Sequence, residues 1–83
     1  MDLYVVYLGG HLAPGRLGED HEVVLVAAES VADARKAAKT KWGGTDRAHI
    51  DAVARVGVVD GYRVTLTETG EPDSMETDDT YVP

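Results

Sequence analysis

The sequence lacks several features, and each absence excludes a class of protein. Its 83 residues include no cysteine, which excludes disulfide bridges and thiolate metal sites and favours a reducing compartment. No apolar run approaches the roughly 20 residues that a membrane-spanning helix needs. Met1 and Asp2 lead directly into a strand pattern, without the features of a secretory signal. We therefore expect a cytoplasmic protein with no membrane partner.

Positive charge is also scarce, and it is absent from the end of the chain. The formal net charge is -7, with 8 basic and 10 acidic residues in segment 1–68 and 5 acidic but no basic residues in segment 69–83. Nucleic-acid binding needs a basic surface for the phosphates, so we expect no nucleic-acid partner. The same contrast divides the chain into a single domain, residues 1–68, and an acidic C-terminal tail, residues 69–83.

Two segments are apolar on both faces, which is typical of strands that are covered on both sides. They are residues 3–8 (LYVVYL) and 23–28 (VVLVAA), and we place them at the centre of a sheet. The glycine-rich residues between them read as a loop that only loosely resembles a phosphate cradle, because it lacks the G-x-x-x-x-G-K-[ST] pattern. An anion held there would contact Gly9, Gly10, His11 and Arg16.

A helix is predicted to begin at Ser30. The hydroxyl of Ser30 and the carboxylate of Asp33, three residues on, fit the pattern in which both accept from free backbone N–H groups of the first turn. Gly43 and Gly44 are a natural stop. The apolar residues at helical spacing form one stripe, which comprises Val31, Ala34, Ala38 and Trp42.

Residues 49–66 predict a β-hairpin with one apolar and one polar face. The apolar residues alternate along the first strand: Ile50, Ala52, Ala54, Val56 and Val58. A three-residue loop at 59–61 would keep the apolar set together, because it pairs Val58 with Tyr62 and Val56 with Val64. The opposite face then carries the polar residues His49, Asp51, Arg55 and Arg63.

The element order β-β-α-β-β predicts an α+β domain of two layers, a four-stranded, mainly antiparallel sheet with one helix on one face. One helix covers one face, so the doubly apolar strands leave the other face in need of a cover. A second copy packed back to back would provide it and would enlarge a core that is small at this length. We therefore expect a homodimer.

The histidines and one aspartate make a candidate site. His49 and Asp51 lie two residues apart and share a strand face, and His21 begins the second strand. Two imidazoles and one carboxylate would suit a divalent metal ion, and His49 with Asp51 would also serve as an acid–base pair. The simpler interpretation is structural, with His49 and Asp51 hydrogen-bonded to fix the end of the hairpin.

Five short motifs together resemble a small bacterial domain family of unknown function. They are YLGG at 7–10, His-acid before a valine-rich strand at 21–24, Trp-Gly at 42–43, HID at 49–51 and VDGY at 59–62. The resemblance covers about residues 3–66 and has His-Glu at 21–22 where the family pattern has His-Asp. It implies the fold and the hairpin, and it implies that His21, His49, Asp51 and the Gly9-Gly10 turn recur as a set. It implies no activity.

These observations favour a non-catalytic binding or interaction module, homodimeric through its sheet, with itself or another protein as partner and no cofactor. No nucleophile motif such as G-x-S-x-G is present, which weighs against an enzyme. One alternative is a small metal-dependent or acid–base enzyme that uses His21, His49 and Asp51, with Arg55 or Arg63 holding an anionic ligand. It requires the two histidines to share a face. A second alternative is a docking protein that acts through the acidic tail.

Overall fold

The protein folds into a three-stranded antiparallel sheet with one helix on one face, in a computed structural model that describes residues 1–82. Pro83, the last residue of the predicted tail, lies outside the described residues. The elements are β1 (Asp2–Gly10), β2 (Asp20–Ala28), α1 (Val31–Lys41) and β3 (His49–Val56). The strands lie in the order β2-β1-β3, so the predicted α+β class is confirmed and β1 is central, whereas β2 lies at an edge and not at the centre.

The predicted four-stranded sheet is wrong, because the chain leaves the sheet after β3. Two further strands, β4 (Val58–Val59) and β5 (Tyr62–Arg63), pair with each other in a separate ribbon. Such a short two-stranded ribbon has too little packing surface to be stable in isolation. The hairpin that the sequence predicts for residues 49–66 is therefore a small ribbon attached to the end of β3.

The turn of this ribbon also differs from the prediction. Asp60 and Gly61 both have positive φ, 53° and 83°, as a two-residue type I′ turn requires. The turn places Val59 opposite Tyr62, so the expected pair of Val58 with Tyr62 does not form. A buried face normally fixes strand register, and both strands of this ribbon are exposed. The turn therefore sets the register, and the apolar side chains do not.

A β-bulge in β3 changes which of its residues face the helix. Leu8 of β1 lies opposite Ile50 and Tyr7 lies opposite Ala52, which leaves Asp51 as an extra residue. Ile50 therefore points to the helix side, where it packs against the core, and Ala52 points to the other side. The prediction that the alternating apolar residues of this strand share one face is wrong. Side chains do not keep alternating through a bulge, so Ile50 and Ala52 lie on opposite faces.

The core lies between α1 and one face of the sheet. Leu8 and Val6 of β1 have no solvent exposure, and Ala34 and Ala38 of α1 are equally buried. Small alanine side chains let the helix lie close to the sheet. No helix within residues 1–82 has the length and apolar character needed to cross a membrane.

The other face of the sheet has no such cover, and we call it the open face. Strand pairing places nine apolar side chains on it, three from each strand. Six of them are exposed and three are half-buried. They are Leu3, Val5 and Tyr7 from β1, Val23, Leu25 and Ala27 from β2, and Ala52, Ala54 and Val56 from β3.

The Ser30 half of the predicted helix cap is confirmed, whereas the Asp33 carboxylate accepts no backbone N–H within residues 1–82. The Ser30 hydroxyl accepts a hydrogen bond from the Asp33 backbone N–H at 3.1 Å, and the Ser30 carbonyl accepts from Ala34 N–H at 2.9 Å. The helix ends at Lys41, with Trp42 as its C-cap, directly before the glycine pair.

Replacing Ser30 by alanine removes this cap. We expect the Ser30→Ala variant to lose about 1 kcal/mol of unfolding free energy, because the Asp33 N–H then has water as its partner. Urea unfolding followed by circular dichroism measures the loss. A Ser30→Asp variant keeps an acceptor and should stay close to the parent, and a loss as large as that of Ser30→Ala would contradict the capping explanation.

The chain beyond β3 has little regular structure, and we call residues 57–82 the C-terminal arm. All of it is exposed except the half-buried Val64, and after β5 it has no helix or strand. Part of it returns to β2, since Lys41 Nζ donates to the Leu25 carbonyl oxygen at 2.7 Å and to Asp73 Oδ2 at 3.2 Å. Residues 73–75 line a shallow cavity there together with Leu25 and Ala27. The radius of gyration is 14.8 Å, against about 12 Å for a compact chain of this length.

Candidate functional site

Three side chains predicted as a site meet on the open face, at the end of the sheet where β1 finishes. Gly9 of the central strand lies opposite His21 of β2 on one side and His49 of β3 on the other. His21 and His49 therefore flank the same glycine and share a face, which is the arrangement that a joint site requires. Asp51 belongs to the bulge beside them.

The Asp51 carboxylate lies between the two imidazoles. His49 Nε2 is 3.0 Å from Asp51 Oδ1, and His21 Nε2 is 3.3 Å from Asp51 Oδ2. All three side chains are about one third to one half exposed, so the group is open to solvent. The bulge contributes to this position, because it leaves Asp51 unpaired in the ladder and places it beside the open face.

A fourth residue, Glu19, belongs to this group and was not predicted from the sequence. Glu19 Oε1 lies 3.2 Å from His49 Nε2 and Glu19 Oε2 lies 3.7 Å from His21 Nε2. Glu19 immediately precedes β2 and stands two residues before His21. That spacing places two side chains on one face of an extended segment. The sequence therefore contained a signal from which Glu19 could have been predicted beside His21. We call Glu19, His21, His49 and Asp51 the histidine–carboxylate cluster.

Gly9 forms the floor of the cluster. A Cβ atom added there would lie 2.7 Å from His49 Nε2 and 3.1 Å from Asp51 Oδ2, which is closer than ordinary carbon contacts. The absence of a side chain at Gly9 therefore allows His49 and Asp51 to lie over the central strand. Tyr7, two residues earlier on the same face, stacks on His21 with ring centroids 4.9 Å apart and planes inclined by 16°.

The contacts within the cluster are short but differ from ordinary hydrogen bonds. Of the imidazole–carboxylate contacts in residues 1–82, only that of His11 with Asp46 also has hydrogen-bond geometry. No lysine or arginine nitrogen of the described residues lies within 4.0 Å of Glu19 or Asp51. In this conformation no group of three or more His, Asp or Glu side chains in residues 1–82 is already arranged to hold a metal ion.

The other predicted ligand residues of the loop make contacts that hold the loop itself. His11 Nδ1 lies 2.7 Å from Asp46 Oδ2, and the His11 backbone N–H donates to Asp46 Oδ1 at 2.9 Å. Arg16 donates to Asp20 Oδ1 at 2.6 Å. At Gly10 a Cβ would lie 2.9 Å from the ring of Trp42. His11 and Gly10 contact the segment after α1, Arg16 contacts the start of β2, and all three lie outside the cluster.

The two predicted arginines also lie outside the cluster. Arg55 is paired with Tyr4 towards the opposite end of β3, on the helix side, and its nearest acid is Asp2 at 3.9 Å. Arg63 belongs to the exposed β5 ribbon. The bulge accounts for the position of Arg55, because it reverses the facing of every residue between Asp51 and the end of the strand.

The loop contacts lower the pKa values of two aspartates. The backbone N–H of His11, and next its imidazole, hold the pKa of Asp46 below the ordinary value of 3.8. The backbone N–H of Leu12, followed by the Arg16 guanidinium, lowers the pKa of Asp20 in the same way. Hydrogen bonds to the charged form are the main cause in both cases.

These lowered pKa values predict a contribution to stability that depends on pH. A carboxyl group with a folded-state pKa below its unfolded value stabilises the fold above the unfolded pKa, and the contribution disappears as pH falls through the folded pKa. We expect the unfolding free energy to decline below about pH 4, and less steeply in an Asp46→Asn variant. Urea unfolding from pH 2.5 to 6 measures both slopes. Identical slopes would show that the Asp46 contacts are too weak in solution to matter.

The fold and the cluster define a small α+β domain with one open sheet face. A family model described as Domain of Unknown Function (DUF1543) matches residues 16–66, which include β2, α1, β3 and the small ribbon. The match spans more than half of the chain, and the protein therefore belongs to the DUF1543 family. No curated protein and no solved structure matches the chain.

Proposed function

We propose that the protein is a non-catalytic binding module that works as a homodimer, with the open faces of two copies packed together. The nine apolar side chains of the open face carry this proposal. Val23, Leu25 and Tyr7 are 59%, 41% and 40% exposed on it. A contiguous apolar patch of this kind marks an interaction surface, because water contact with it is unfavourable.

A second copy is the occupant that the molecule favours. The open face lies on the side away from the helix, so two copies would turn their helices outward and share one central apolar layer, as stacked sheets do. The strand residues of this face carry no charge except for the cluster at one end. Apolar centres with polar rims are typical of homodimer interfaces. The back-to-back arrangement also enlarges a core whose fully buried members are few.

The C-terminal arm supports the same proposal. A stable interface buries about 800 Å² on each partner. This is more than the projected area of roughly 400 Å² that three strands of this length provide. The arm carries exposed apolar residues that would extend the contact, namely Val58, Val59, Tyr62, Leu66, Met75, Tyr81 and Val82. We place this dimer in the cytoplasm, in keeping with the absence of cysteine.

Sedimentation-velocity centrifugation tests the proposal. We expect the tag-free protein at 1–100 µM to sediment with a mass of twice 8.9 kDa. A single species of 8.9 kDa over the whole range would overturn the homodimer. Repeating the experiment after removal of residues 69–83 separates the sheet face from the acidic tail, because a dimer formed through the sheet persists in the truncated protein.

A further inference from the structure

We propose that the histidine–carboxylate cluster binds one divalent transition-metal ion of the zinc class. The ligands would be Nε2 of His21 and His49 and one carboxylate oxygen each of Asp51 and Glu19. This site does not depend on the homodimer, since all four residues belong to one chain. Glu19 adds a fourth ligand to the three residues that the sequence predicts, and four is the usual number for zinc.

The first argument is the charge of the cluster. Two carboxylates approach the same pair of imidazole nitrogens, at distances between 3.0 and 3.7 Å. With neutral imidazoles this group carries two negative charges, and no lysine or arginine of the described residues lies within 4.0 Å of them. A bound divalent cation would offset these like charges and would be attracted to them.

The second argument is the spacing of the ligand atoms. Zinc binds imidazole nitrogen and carboxylate oxygen at about 2.0–2.2 Å in a tetrahedron, so neighbouring ligand atoms lie about 3.3–3.6 Å apart. Two distances of the cluster lie close to this range, because His21 Nε2 is 3.3 Å from Asp51 Oδ2 and His49 Nε2 is 3.2 Å from Glu19 Oε1. Small rotations of half-exposed side chains would bring the four ligand atoms around one ion.

The third argument is the floor of the cluster. Only glycine at position 9 leaves room for His49 and Asp51 over the central strand, and the bulge places Asp51 beside them. Tyr7 stacks on the His21 ring and restrains its orientation. A structural His–Asp pair needs neither a second histidine nor a second carboxylate. Mixed nitrogen and oxygen ligands favour zinc-class ions over calcium and magnesium, which prefer oxygen alone.

Calorimetric titration of the full chain with ZnCl₂ tests the site, with MgCl₂ and CaCl₂ as comparison ions. We expect one zinc ion per chain, and at least about tenfold weaker binding in each of His21→Gln, His49→Gln and Asp51→Asn. The matched control is His11→Gln, which removes another imidazole that contacts a carboxylate, outside the cluster. It should bind zinc as the parent does. NMR spectra of the imidazole groups should show His21 and His49 moving with zinc while His11 stays in place.

Two further variants sharpen the assignment. Gly9→Ala leaves every ligand unchanged and should weaken zinc binding, because its Cβ displaces His49. Glu19→Gln should weaken it less than Asp51→Asn does, because Glu19 lies in a loop. Absence of zinc binding by the parent, or equal binding by the His49→Gln and His11→Gln variants, would overturn the proposal. Centrifugation of the same samples reports the dimer separately, so failure of one proposal is distinguishable from failure of the other.

Discussion

Leu25→Asp is expected to convert the homodimer into a monomer. Leu25 lies in the middle of β2, on the open face, with 41% of its surface exposed. In the proposed dimer this side chain is covered by the second copy, so the variant buries an unpaired carboxylate in each of the two subunits. An uncompensated buried charge costs about 3–5 kcal/mol. We therefore expect the dissociation constant to rise at least about 100-fold, as measured by sedimentation over a dilution series.

The control for this experiment is the same substitution at Leu17. Leu17 is 99% exposed in the loop between β1 and β2, so Leu17→Asp adds the same charge without entering the open face. It should dimerise as the parent does. Circular dichroism shows whether Leu25→Asp is still folded, which we expect because its side chain lies outside the core. A folded, fully dimeric Leu25→Asp protein would locate the interface elsewhere, with the C-terminal arm as the next surface to examine.

The sequence predicts elements well where side-chain burial determines them. The helix start at Ser30 and the buried positions Ala34 and Ala38 follow from capping chemistry and helical spacing, both of which act locally. The doubly apolar pattern of β1 correctly identifies a central strand. The same pattern in β2 is misleading, because it reflects an apolar open face and not the position of the strand within the sheet.

The errors in the second half of the chain have two physical causes. The bulge at Asp51 interrupts the alternation of side chains in β3. The residue types do not reveal this interruption, because His49, Asp51 and Ala52 suit either face of the sheet. The ribbon at 58–63 is exposed, so its turn determines its register and hydrophobic pattern does not. A sequence rule that assumes a buried face therefore fails where no face is buried.

The candidate site was partly predictable. His21, His49 and Asp51 stand at strand ends in the sequence, and antiparallel pairing about Gly9 brings them together. Glu19 needed only the two-residue spacing to His21. The assignment of Arg55 and Arg63 to the same face depended on an unbroken hairpin, and the bulge and the separate ribbon remove both from the site.

Leu8→Ala is expected to have the largest effect on the fold itself. Leu8 has no exposed surface and is one of the two largest side chains buried completely. Its loss leaves a cavity between α1 and the centre of the sheet, which costs about 2–5 kcal/mol in comparable cores. A small domain has a total unfolding free energy near the low end of about 5–15 kcal/mol, so most of its stability would be lost.

Urea unfolding of Leu8→Ala and Leu17→Ala at one fixed protein concentration measures this effect, since dimerisation adds a concentration-dependent term. Leu17→Ala removes the same atoms from a fully exposed position and should be neutral within about 0.5 kcal/mol. Leu8 also directly precedes Gly9 in β1. A cavity beneath this strand should therefore make the position of Gly9, and of the cluster above it, less fixed. We therefore expect Leu8→Ala to weaken zinc binding although it touches no ligand. A large loss of stability with unchanged zinc affinity would show that the cluster is held by the sheet edges alone.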